Sequence, residues 1–267
     1  MRTVAVINLK GGVGKTVTAI NMASILATDY KKRVLLIDAD SQHNTTDFLG
    51  AAPVGGMESF LAGEHEPYWL ENTVGTTVAG VTLLPGSDGL MDYDLGAVKD
   101  GRANRRCLAD LFECIEEDNA GEIEETGTAL IDYAIVDCPP AFNAASAAAL
   151  AAVDEVVIPL SLDAFSISGV ANMMRQVANM RMVNPRLRVA GVLITKYTKE
   201  LASWDREIRQ LSGILPVYET VIRDCRKVTG STFSGDPLAV HSPHCAAAVD
   251  YRRWVKEYLG KEADKNG

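Results

Sequence analysis

Residues 4–16 read Val-Ala-Val-Ile-Asn-Leu-Lys-Gly-Gly-Val-Gly-Lys-Thr, an apolar stretch broken by three glycines and followed by Lys15 and Thr16. This pattern reads as a buried strand, a tight turn and the start of a helix. Gly11, Gly12 and Gly14 allow positive φ and let the backbone come close to a bound group. Backbone N–H groups of the turn, with Val13 among them, and of the helix N-terminus then converge on an anion, and the helix dipole adds favourable potential. Lys15 is placed for the terminal phosphates of a nucleotide and the Thr16 hydroxyl for Mg²⁺. The generic loop G-x-x-x-x-G-K-[ST] is not satisfied, because Leu9 occupies its first glycine position. A second lysine, Lys10, precedes the glycine pair instead.

Later strand ends complete the pattern. Residues 33–40 form an apolar run ending in Asp38-Ala39-Asp40, and residues 131–137 form another ending in Asp137, followed by Cys138-Pro139-Pro140. Near-continuous apolar strands belong to parallel sheets, whose ligands gather at the carboxyl ends. Three acids at two such ends beside a phosphate loop suit a metal–nucleotide site, with one supporting the Mg²⁺ shell and another orienting water. Strands at 81–87, 155–160 and 189–195 alternate with helices over residues 16–28, 102–117 and 141–152. The fold class that follows is α/β, a doubly wound, mostly parallel sheet flanked by helices. Residues 121–127 read as an acidic, glycine-bounded loop. At 267 residues and 47% hydrophobic content, one domain spanning 1–267 is expected, with no membrane span. Five cysteines without a C-x-x-C pair fit a reducing cytoplasm.

Three segments together resemble the deviant-Walker P-loop ATPases of the ParA/Soj and MinD group, the partition branch most of all. They are Lys10–Thr16, Asp38-Ala39-Asp40-Ser41-Gln42 with Asn44–Gly50 behind it, and Ile135–Pro140. The resemblance implies an ATPase using ATP and Mg²⁺. Lys10 would be the signature lysine reaching the nucleotide of a second subunit in an ATP-dependent homodimer. Lys15 and Asp40 would be catalytic, with Asp40 positioning the hydrolytic water. Gly11 to Val17 would cradle the nucleotide, and Thr16, Asp38 and Asp137 would serve the metal. Residues 216–223, including Arg223, would lie near the base, with Thr195 and Lys196 adjacent. Ser41 replaces a usual proline and Val17 a frequent threonine; neither removes a group the chemistry needs, so a competent, slow and partner-stimulated ATPase is expected. No helix-turn-helix extension is expected ahead of the loop.

Net charge is −9, but it is unevenly distributed. Residues 1–174 carry −15, whereas residues 175–261 carry +7. Arg186, Arg188, Arg223, Arg226, Lys227, Arg252, Arg253 and Lys256, with Arg175, Arg181, Lys196 and Lys199, are candidates for a surface binding DNA phosphates without reading sequence. By the resemblance, the partners are nonspecific DNA and a centromere-binding, ParB-like protein that stimulates hydrolysis on the nucleoid. A MinD-like ATPase acting on a protein or membrane surface is the alternative. The final segment carries Trp254, Val255, Tyr258 and Leu259, which are expected to pack inward as a last core helix, leaving no apolar face for a membrane.

Overall fold

In strand β1 (Arg2–Val6), successive side chains feed two separate cores. Val4 and Val6 pack toward α1 (Lys15–Tyr30) and α11 (Ala246–Asn266). Ala5 and the following Ile7 pack toward α5 (Cys107–Thr126), α6 (Ala144–Ala152) and α7 (Ser166–Met180). This alternation makes β1 the middle of a three-layer sandwich, because a strand apolar on both faces must be covered on both. The computed structural model describes residues 1–51, 56–62, 69–100, 106–163, 166–198 and 205–266. Lys199 and residues 102–105 of the expected helix lie outside that set.

The other strands are β2 (Val34–Asp38), β3 (Val74–Gly75), β4 (Val81–Leu84), β5 (Tyr133–Asp137), β6 (Glu155–Ser161) and β7 (Arg188–Thr195). Their order is β3-β4-β2-β5-β1-β6-β7, all parallel except β3, which runs against β4. The chain leaves β1 through α1 on one face and leaves β5 through α6 on the other. The reversal opens a crevice beyond the carboxyl ends of β1, β2 and β5, where such sheets bind ligands. Register matters here: Val6 pairs with Asp137, and Asp137 pairs with Asp38.

Shorter helices fill the remaining connections. These are α2 (Asn44–Phe48), α3 (Met57–Ala62), α4 (Gly89–Asp100), α8 (Asp205–Ser212), α9 (Lys227–Ser234) and α10 (Leu238–His241). The acidic loop expected at 121–127 is instead the last turn and a half of α5. Gly127, at φ 75°, takes the left-handed C-cap, and Gly121 lies within the helix. Asn119 secures this helix to the entry of β5, donating to Ile131 O (2.9 Å) and accepting from Ile131 N (2.9 Å).

As expected, α11 packs inward. Trp254 and Val255 are fully buried and Tyr258 nearly so. The Tyr258 hydroxyl donates to Glu155 Oε1 at 2.5 Å, and that buried carboxylate also pairs with Arg2 (3.1 Å) and Arg188 (2.9 Å). At the other end of α11, Tyr251 and Thr18 hydroxyls lie 3.1 Å apart. Among the described residues no helix is long and apolar enough to cross a membrane.

Candidate nucleotide site

The turn after β1 is fixed from both sides. Asn8 donates its amide to Pro159 O (2.7 Å) and accepts from Lys10 N (2.9 Å), so the loop leaves the sheet pegged to β6. On the far side the Thr195 hydroxyl donates to Val13 O at 2.8 Å. Gly12 and Gly14 sit at φ 72° and 87°, a region that a side chain disfavours. Gly14 is also the N-cap of α1 and supplies no side-chain acceptor, leaving first-turn N–H groups for an external anion.

The two lysines part company. Lys15 is buried, and its amine donates to Lys10 O at 3.1 Å. Burial lowers its pKa, while the nearby charges of Asp137 and Asp40 act against that. Lys10 is half-exposed and forms an ion pair with Asp163, just past the end of β6. Its side chain therefore leaves the loop rather than entering it.

Asp38 and Asp137 end adjacent strands and are both buried. Burial, and the charge of Asp40, push the Asp38 carboxyl up to about 6 against hydrogen bonds from Thr46 and Asp40 N. Burial and the charge of Asp38 push Asp137 up to about 7 against hydrogen bonds from Thr45 and Thr16. Asp40 turns out of the strand and is braced by Gln42 N, which donates to its Oδ1 at 3.1 Å. Gly86, after β4, is there because nothing larger fits: an added Cβ would lie 2.8 Å from Asp38 O.

A cleft of about 590 Å³ opens above these groups. Gly11, Gly12, Gly14, Lys15 and Thr16 form its floor, with Asp40 and Gln42 on the carboxylate side. Its apolar wall is Val17 and Ile20 of α1, Phe48 of α2 and Val228 of α9, with Lys196 at the edge. A larger cleft of about 690 Å³ lies at the opposite, amino end of the strands, around Met1 and Glu116, without a phosphate loop.

Not every expected residue arrives. Arg223 is not brought to this cleft: its guanidinium is held by Asp250 through two bonds of 2.7 Å, and it lines a separate cleft with Arg253 and Lys256. None of residues 216–223 lines the cleft, whose apolar wall comes from α1, α2 and α9. Nor do the basic residues form one stripe. Arg188 starts β7 while Arg223 bridges to Tyr197 beyond its end, so the seven steps of β7 alone separate them by about 23 Å at strand rise. Arg186 is on the Arg188 side, and Arg226 and Lys227 are on the Arg223 side. Arg252 is taken up by Asp29 (2.9 Å) and two backbone carbonyls.

Sequence reasoning passed over Asn8, Gly86, Asp163 and, above all, Thr45 and Thr46. The signal for the threonines was their position a few residues beyond a strand-end acid pair; which carboxylate each one meets was not readable.

A parallel sheet, a glycine turn entering a helix and strand-end carboxylates define a P-loop nucleoside triphosphatase. The AAA domain family matches residues 1–189. Over 99% of this chain and 96% of its own length, the chromosome partitioning protein ParA of Caulobacter vibrioides is 30% identical. The chromosome-partitioning ATPase Soj of Thermus thermophilus is 32% identical over 98% of this chain and 96% of its own. The chain belongs to this ParA/Soj family of P-loop ATPases. Among solved structures, apo McdA of Cyanothece superposes with TM-score 0.80 at 22% identity, covering 97% of this chain and all of that one. Cobyrinic acid a,c-diamide synthase of Mycobacterium smegmatis, with a bound ATP analogue and magnesium, superposes with TM-score 0.76 at 26% identity, covering 97% and 94%.

The residues present fit such a ligand. Among the described residues Asp137 Oδ1 is buried without a hydrogen-bond partner, next to a second carboxylate, and a divalent cation would supply what that oxygen lacks.

Proposed function

We propose that this chain is a ParA-like ATPase that moves or positions DNA. ATP with Mg²⁺ occupies the cleft, and two subunits close face to face over two nucleotides. The closed dimer binds DNA nonspecifically on the nucleoid, and hydrolysis releases it. Lys15 holds the terminal phosphates, Thr16 and the strand-end carboxylates serve the cation, and Asp40 orients the attacking water. A ParB-like, centromere-binding partner accelerates turnover.

The observation that carries this reading is the division between the lysines. Lys15 already supplies the amine of its own cradle, while Lys10 leans outward to Asp163. An amine so placed is free to exchange a carboxylate partner for phosphate from another subunit. For DNA, the residues favoured are Arg226, Lys227, Arg253 and Lys256, which are exposed on the Arg223 side of the molecule.

The alternative, a MinD-like or other cargo-positioning ATPase acting on a membrane or protein surface, is disfavoured for membranes by α11. Its large apolar residues are spent inside the protein.

A gel shift of nonspecific duplex DNA with ATP, ADP or no nucleotide tests the reading, beside pelleting with anionic liposomes. Retardation with ATP alone is the expected result, and Asp40→Ala should keep that retardation while losing phosphate release. Liposome binding without DNA binding would replace this function with the alternative.

A further inference from the structure

Asp38 and Asp137 are matched by register and burial, yet their hydrogen bonds differ. Asp38 is saturated. Its Oδ2 accepts from Thr46 N (2.9 Å) and from the Thr46 hydroxyl (2.7 Å), and its Oδ1 accepts from Asp40 N (3.3 Å). Asp137 is half-satisfied. Its Oδ2 accepts from the Thr45 hydroxyl at 2.8 Å and the Thr16 hydroxyl bonds the same carboxyl, while its buried Oδ1 accepts from none of the described residues.

Both threonines are fully buried and adjacent in the first turn of α2, where neighbouring side chains diverge by about 100°. That divergence sends one hydroxyl to β5 and the other to β2. Thr46 reaches a third strand as well, because Gly86 N, beyond β4, donates to its hydroxyl at 2.9 Å. A five-residue helix has little stability of its own. Here these side-chain bonds attach it to the carboxyl ends of three strands.

We infer that Thr45 and Thr46 are positioning residues that give the two carboxylates different tasks. Thr46 commits Asp38 to anchoring α2. Thr45 holds Asp137 by one oxygen and so presents the other to the Mg²⁺ of the bound nucleotide. The inference rests on the ATP–Mg²⁺ reading above. It separates two acids that the sequence motif treats alike.

The test is a Mg²⁺ titration of fluorescent ATP-analogue binding, with hydrogen exchange of residues 44–50 on the same proteins. Thr45→Val should raise the Mg²⁺ midpoint about tenfold, the lower end of what loss of an outer partner costs a metal site. Thr46→Val should leave that midpoint where it was and speed exchange across 44–50 by about tenfold, as lost buried hydrogen bonds would. Thr45→Ser and Thr46→Ser should restore each property. Nucleotide affinity without Mg²⁺ reports whether a variant has folded, and Thr45→Ala replaces the valine variant if that one has not. Equal shifts of the midpoint in the two valine variants, or a wild-type midpoint in both Thr45 variants, would overturn the assignment. Wild-type protein that binds the analogue with no Mg²⁺ dependence would overturn the functional reading, and the assignment with it.

Discussion

Asp137→Asn should make the nucleotide-free protein more stable at pH 8, at the expense of its metal site. Burial, then the charge of Asp38, raise the Asp137 carboxyl from an ordinary 3.8 to about 7. A native-state value above the unfolded one stabilises the fold fully below the unfolded pKa. That contribution is lost as pH rises through about 7. At pH 8 the folded chain must therefore hold an anion that the unfolded chain holds in water. A rise of about three units corresponds to about 4 kcal/mol as a ceiling. Asparagine keeps the shape and can accept from Thr45, but its new N–H₂ needs an acceptor at the position of the partnerless Oδ1. An unmet donor costs about 2 kcal/mol, leaving a net gain of about 2 kcal/mol. For a chain of this length that is about 4–8 °C in Tm. Thermal melts followed by circular dichroism in EDTA, at pH 8 and pH 5.5, measure it. At pH 5.5 the wild-type carboxyl is protonated and the difference should shrink toward zero. Equal melting at pH 8, or a gap that widens at pH 5.5, would refute the argument.

Three further outcomes follow from the same geometry. Lys10→Ala should bind nucleotide as a monomer with wild-type affinity and form no ATP-dependent dimer by light scattering; undiminished dimers would count against a contact in trans. Arg253→Glu combined with Lys256→Glu should weaken DNA binding and reduce the slope of log K against log salt by about 2, each residue accounting for roughly one phosphate. An unchanged slope in a DNA-binding protein would move the DNA elsewhere. Gly86→Ala should destabilise the protein by about 2 kcal/mol in urea, since its methyl group would press on Asp38 O at 2.8 Å; a wild-type midpoint would mean that the end of β4 yields.

Much of the molecule was legible because its signals are local. The glycine turn fixes strand, cradle and helix within thirteen residues, and the strands ending in Asp38 and Asp137 carry their own apolar runs. What escaped depends on distant partners. Glycine at 121 resembles a loop boundary, yet Asn119 binding Ile131 carries α5 past it, and the left-handed cap falls at Gly127. Arg223 reads as a free cation until Asp250, in α11, is brought against it. Arg252 likewise meets Asp29 in α1. A charge count along the chain cannot tell a paired arginine from a free one, so the basic third looked more continuous than the fold makes it. Short α2, held by bonds to three strands, has no periodicity to read.

The strand ends also explain why nucleotide occupancy should be felt beyond the cleft. Register forces Asp38 and Asp137 side by side, and a parallel sheet cannot separate them without slipping a strand and turning every core side chain to the wrong face. The repulsion must be met by protons, by Lys15 or by a cation. Below about pH 6 protons meet it in the empty protein, and above about pH 7 they no longer do. A divalent ion would meet it at the unpartnered oxygen of Asp137, whose other oxygen is tied to α2 through Thr45. Since α2 also supplies Phe48 to the cleft wall and packs on α9, Asp137 and the helix that carries Lys227 and follows Arg226 share one neighbour, α2, at the carboxyl end of the sheet.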